Sequence, residues 1–253
     1  MALSISEQIY LNGYAIFDCC DMSALSLFAK VVQDELKTEE LSCIHTFISR
    51  NEINKRRLAC FRALNKVARW EDLYASAFQN ALDHLIGPDI AIQNKLNLSI
   101  QMPGDVSSVL QMHTDSLAGQ SIFELVCWLP LTNAYESNSM YIFHPDVSKK
   151  ILTDLPAYEK QGMDGLFAEY KSRATFIDIK YGQVLVFSPT LFHGNIVNDT
   201  KETRISINCR FKNIFAPESE CGERRLGSFY RLHSLSPLTR LALSYRDDLI
   251  SFR

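Results

Sequence analysis

Missing from this 253-residue chain is any Cys-x-x-Cys pair, and its seven cysteines (19, 20, 43, 60, 127, 209 and 221) are odd in number and scattered. Neither a zinc knuckle nor a disulfide framework is therefore expected. Excess charge is missing too. Its 26 basic and 29 acidic side chains leave a net −3, which offers no footprint for nucleic acid. The longest run without a charged side chain, Tyr181 to Asn198, is broken by glycines, Pro189, His193 and asparagines, so no membrane span is expected. The start, Met-Ala-Leu-Ser-Ile-Ser-Glu, lacks the basic flank and apolar core of a secretion signal. Internal repeats and low-complexity tracts are absent. What is present is ordinary globular composition, 47% hydrophobic and 22% charged, on a chain long enough to bury a core without staples. These features fit a reduced, cytoplasmic protein whose partner is a small molecule rather than nucleic acid or membrane.

Patterning divides the chain into three zones without a linker, which we read as one domain over 1–253. Residues 1–95 form a helical layer after a short strand at Tyr14–Phe17. Apolar residues recur near a 3.6 period over Met22–Leu36 and again over Trp70–Leu85, where Gly87-Pro88 stops the pattern. From 96 to 211 the period changes to two. Candidate strands are Leu96–Met102, Ser108–Met112, Ile122–Leu129, Ser139–Phe143, Thr175–Ile179, Gln183–Phe187 and Thr203–Phe211, with a helical insert near Val147–Lys171. The tail, 212–253, is charged and mixed, with Leu238, Leu241 and Leu243 predicting a packed short helix. The fold class is α+β with a mainly β core, and the strand count points to a jelly roll.

Two of the six histidines begin His-x-Asp triplets, His113-Thr114-Asp115 and His144-Pro145-Asp146. Residues two apart on a strand share a face, so such a triplet can offer an imidazole and a carboxylate to one ion. A further histidine completes a 2-His-1-carboxylate set with three positions left open. Geometry favours the first triplet, because Pro145 removes a ladder donor and Asp146 stands where a helix would begin. For the distal ligand His193 is preferred over His233, which lies beyond the last candidate strand. A lone histidine is ordinarily a structural one; its place after the first triplet makes His193 a ligand candidate.

Downstream, alternation over 203–211 puts Arg204, Ser206, Asn208 and Arg210 on one face. That face is either the solvent side of an edge strand or a cavity wall, where Arg-x-Ser suits a dicarboxylate. Asn97, Ser99, Gln101 and Gln111 are further candidate cavity polars for a co-substrate. Asn208, Arg210 and Glu124 are candidates for the substrate, with Glu124 and Trp128 either at the cavity mouth or on the outer surface.

With Asp115 and His193 separated by 77 residues and Arg204-x-Ser206 following ten residues later, the pattern resembles the Fe(II)/2-oxoglutarate-dependent oxygenases. The wide spacing and Asn12-Gly13-Tyr14-Ala15-Ile16 are similar to the phytanoyl-CoA dioxygenase branch. The run from His193 to Phe211, with Trp128-Leu129-Pro130-Leu131, is similar to members from carbohydrate and aminoglycoside biosynthesis. The resemblance implies a double-stranded β-helix, cupin-like, holding Fe(II) by His113, Asp115 and His193. It implies 2-oxoglutarate and O2 as co-substrates, the C5 carboxylate held by Arg204 and Ser206, and hydroxylation or a related C–H oxidation of a sugar-like compound. Asp115 fills the position that a halogenating relative leaves for chloride. The rivals are a cupin-like sugar isomerase and a non-catalytic carbohydrate-binding protein.

Overall fold

The computed structural model describes residues 3–218 and 224–251. The six cysteines within that range are free thiols; Cys221 lies outside it. Helix α1 (Ile5–Asn12) starts on a Ser4/Glu7 capping box and ends at Gly13, whose φ of 76° turns the chain into strand β1 (Tyr14–Asp18). Asp21 caps α2 (Met22–Leu36) by accepting from the Ser23 and Ala24 amides. The helix buries Leu25, Phe28, Val32 and Leu36 on one stripe, each worth about 1.5–3 kcal/mol of transfer. Helices α3 (Arg50–Leu64), α4 (Trp70–Ala77) and α5 (Gln79–Leu85) complete the helical layer. The single helix expected over Trp70–Leu85 is broken at Phe78, because the Ala77 carbonyl leaves the helical ladder to accept from the Cys20 amide.

Next come β2 (Ile90–Gln93), β3 (Asn97–Gln101), β4 (Glu124–Pro130), β5 (Met140–Ile142), α6 (Pro145–Asp154), α7 (Gly162–Tyr170) and β6 (Thr175–Phe176). Then follow β7 (Gln183–Phe187), β8 (His193–Asn195), β9 (Arg204–Asn213), β10 (Tyr230–Ser234) and α8 (Pro237–Ser251). The strands form two antiparallel sheets. The larger runs β1-β7-β4-β9-β2-β10, with β3 also paired to β9; the smaller runs β6-β5-β8. Strand β9 lies in the middle of the larger sheet, so the edge-strand reading of its polar face is excluded. Its residues Ile205, Ile207, Cys209 and Phe211 pack with the helical layer, while Arg204, Ser206, Asn208 and Arg210 turn towards the smaller sheet. Val126 and Trp128 of β4, Leu185 and Phe187 of β7, and Met140 and Ile142 of β5 close the space between the sheets.

Several expectations change. Ser108–Met112 is not a strand. An Asx turn at Asp105 starts this segment, and Leu110 donates its amide to the Asn195 side chain instead of to a backbone carbonyl. At Leu110 only the carbonyl pairs with backbone, accepting from the Asn195 amide, and a two-bond exchange returns at His113 with His193. Thr175–Ile179 pairs as a strand over two residues only, since the chain then moves from β5 to bridge Ala134 through Ile179. The helical zone contains β2 and the tail contains β10, paired to each other. A tail helix exists, but Leu238 and Leu241 are exposed rather than packed.

Candidate metal centre

His193 opens β8, and His113 sits opposite it in the paired segment, which brings the two imidazoles to 4.3 Å between ring centroids. Each ring is turned by its own backbone. His113 Nδ1 lies 2.8 Å from the Gln111 carbonyl and His193 Nδ1 lies 2.9 Å from that of Leu191. A carbonyl only accepts, so both Nδ1 atoms carry a hydrogen, which leaves the two Nε2 atoms as the candidate ligand atoms. Asp115, 4% exposed, places Oδ1 3.9 Å from His113 Nε2. One donor atom from each of His113, Asp115 and His193 falls within 4.8 Å of the other two. That spread, two nitrogens and one oxygen with the rest of the space open, suits a divalent transition metal.

The close approach of the segment to β8 needs Gly194. A Cβ there would stand 2.8 Å from the Leu110 carbonyl oxygen and 2.7 Å from the Tyr141 hydroxyl. Protonation states match the donor set. Burial pushes His193 down to about 4, against the pull of Asp115, so the ring is neutral near pH 7. Burial alone would raise the Asp115 carboxyl, but Arg210 and the two imidazoles outweigh it and hold it below the ordinary carboxylate range. The other triplet is elsewhere. His144 caps α6, Asp146 is in its first turn, both side chains are largely exposed, and neither joins the cluster. His233 stands beside Asp72 and the Phe211 ring.

A cavity of about 130 Å³ opens on the three donors. Its wall includes Val126, Trp128, Met140, Phe187, Asn208, Arg204 and Arg210. Arg204 is 3% exposed and donates to four neutral acceptors. These are the Asn138 carbonyl (3.0 Å), Ser99 Oγ (2.8 Å), Ser206 Oγ (2.9 Å) and Gln101 Oε1 (2.8 Å). Among the described residues no carboxylate pairs with it. Burial, with Arg57 second, pushes the guanidinium down to about 10. A buried cation that faces a cavity without a counter-ion is a site for an anion. A two-pronged grip is not on offer, since four of its five N–H groups are engaged. An arriving carboxylate would meet the remaining N–H and the serine hydroxyls, whose own O–H groups stay free to donate.

The other candidates divide. Gln101 is buried and holds Arg204 while donating to the Ile196 carbonyl. Asn97 donates to Asn208 Oδ1, and of the pair Asn208 reaches the cavity. Gln111 is exposed and bonds Asp164, away from the cavity. Glu124 faces inward but is turned to Arg210 (3.7 Å) and to the Tyr230 hydroxyl, which donates to it. Arg210 is occupied. Its Nε and Nη2 donate to Asp115 at 3.1 and 2.7 Å, and its Nη1 donates to Gln93 at 3.1 Å. Gln93 and Tyr230 were not among the sequence candidates. Their only trace was a short apolar run, Ile90-Ala91-Ile92, after Gly87-Pro88, and a Tyr-Arg-Leu alternation in the tail.

No family model matches the chain. Among curated proteins it is similar to the streptomycin biosynthesis protein StrG of Streptomyces griseus, 24% identical over 143 residues. The match covers 55% of this chain and 56% of StrG, about half the length of that relative. Among solved structures it is similar to a non-heme monooxygenase in its ThoJ–nickel complex, with a TM-score of 0.58 and 17% identity over 98% of this chain and 96% of that one. It is also similar to HygX of Streptomyces hygroscopicus with nickel and 2-oxoglutarate bound, with a TM-score of 0.56 and 11% identity over 91% and 98% of the two chains. The fold is therefore shared with non-heme oxygenases.

Proposed function

We propose that the chain is one double-stranded β-helix domain acting as an Fe(II)/2-oxoglutarate-dependent oxygenase on a small polar, sugar-like or aminoglycoside-like compound. The observation that carries the reading is two imidazoles and a carboxylate converging on a cavity that also holds a buried guanidinium with no carboxylate partner among the described residues. His113, Asp115 and His193 would hold the metal, and Arg204, with the Ser99 and Ser206 hydroxyls, would receive the far carboxylate of the co-substrate. Bound iron and 2-oxoglutarate would supply the oxidation: O2 is consumed, the co-substrate leaves as succinate and CO2, and a substrate C–H bond is hydroxylated or similarly oxidised. The protein's share is ligation, orientation and exclusion of water. Trp128, Met140 and Phe187 make the wall beside Arg204 apolar, which strengthens its attraction for a carboxylate. A cavity of this size takes one small molecule, so the substrate would approach from the open side. The sugar-like class draws support from the likeness to StrG. Fe(II) and 2-oxoglutarate added under nitrogen should together give a weak visible charge-transfer band, and its absence would overturn the reading.

A further inference from the structure

Asp115 stands on no regular element. It follows the bridge at His113 and its carbonyl accepts from Ala118 and Gln120 in a loop. A carboxylate placed that way can swing, and beside a divalent ion it can ligate through one oxygen or chelate through both. The difference matters at this centre. Six-fold coordination by two imidazoles and one carboxylate oxygen leaves three positions, enough for a two-oxygen co-substrate and O2; a chelating carboxylate leaves two.

The larger sheet supplies the missing control. Both N–H groups that Arg210 gives to Asp115 converge on a single atom, Oδ2. Two charge-assisted bonds occupy the two lone-pair directions of that oxygen, and Oδ1 is the one on the His113 side. Arg210 is itself fixed from neighbouring strands. Gln93 of β2 accepts from Nη1, Glu124 of β4 faces Nε, and Tyr230 of β10 donates to Glu124. Four strands thus bear on the loop carboxylate through one guanidinium.

We propose that Arg210 is the positioning residue of the metal carboxylate, saturating Asp115 Oδ2 so that only Oδ1 ligates and three coordination positions stay open. The inference rests on the metal reading above. Groups that orient a metal ligand typically matter about 10–100-fold in affinity or activity. The expected signature here is instead a change in how many positions remain.

The test uses Mn(II) as the probe and water-proton relaxation to count its exchangeable waters in the absence of co-substrate. Wild type should show three. Arg210→Gln removes the grip and should drop the count to two, with 2-oxoglutarate affinity of the Mn(II)-loaded protein falling at least tenfold. Arg210→Lys keeps the charge but offers a single point donor, and should give a mean count between the two. It also serves if Arg210→Gln does not fold. Three waters in every folded variant overturns the inference while leaving the metal centre intact. A wild type that takes up no Mn(II), or one whose uptake survives His113→Ala unchanged, sinks the metal reading itself.

Discussion

Replacing Arg204 by methionine separates an anion clamp from a structural arginine, because the two roles predict opposite balances. The guanidinium is buried against four neutral acceptors, and burial depresses it to about 10 from an ordinary value near 12.5. At about 1.4 kcal/mol per pH unit, the empty protein carries roughly 3 kcal/mol of uncompensated charge. Methionine of similar length removes that cost but orphans four acceptors, the Asn138 carbonyl, the Ser99 and Ser206 hydroxyls and the Gln101 amide oxygen, at about 1–3 kcal/mol for each that water does not reach. The orphaned acceptors match or exceed that relief, so the metal-free protein should melt at or below wild type. Co-substrate binding should behave differently. Losing a buried charge-assisted contact costs about 3 kcal/mol, on the order of a hundredfold in the dissociation constant. Calorimetric titration of 2-oxoglutarate into the Co(II)-loaded proteins, with thermal melts of the metal-free ones, measures both. A variant that binds 2-oxoglutarate within threefold of wild type would refute the clamp.

His113→Ala and His193→Ala should each abolish tight Co(II) uptake, whereas His144→Ala, at the exposed cap of α6, should leave it unchanged; a titration that ranks them otherwise reassigns the triplet. Gly194→Ala drives a methyl into the Leu110 carbonyl and should destabilise the fold by about 1–3 kcal/mol and weaken metal uptake with it, read by melting and titration together. Glu124 is raised to about 7 by burial, against its bonds to Tyr230 and Arg210. A carboxyl raised in the folded state binds its proton there over the window from about 4.5 to 7, so its contribution to stability is full below that window and is lost as pH rises through 7. Glu124→Gln should therefore gain in melting temperature relative to wild type between pH 5 and pH 8, and a constant difference across that range would contradict the assignment.

The parts of the site legible in sequence were those whose chemistry is local. His113-x-Asp115 shows itself by residue type, and the alternation of β9 separates Ile205, Ile207 and Cys209 from Arg204, Ser206 and Asn208 without any tertiary information. What alternation cannot supply is the neighbour across the ladder. Whether the polar side of β9 met water or a cavity depended on β4 and β3 lying on either side of it, a long-range fact. For the same reason Arg210, equivalent to Arg204 by period, acquires a different task. Opposite it stands Val126, with Glu124 two residues along β4 and Gln93 one strand over, and the Asp115 loop returns above it.

The failure at Ser108–Met112 has the same origin and bears most directly on the metal centre. Its composition reads as a strand, yet its first polar residue, Ser108, is drawn to the Asp105 carbonyl and the Leu110 amide is taken by an asparagine side chain. A continuous strand there would set the His113 and Asp115 side chains on one face by pleat alone. The observed segment pairs at His113 and then leaves the sheet, so Asp115 reaches the centre from a loop. A carboxylate delivered by a loop needs an outside constraint, and a sequence whose central strand places an arginine six residues beyond the anion-facing one supplies it. The apparent irregularity of the ligand-bearing segment and the burial of a second arginine on β9 are thus two sides of one arrangement.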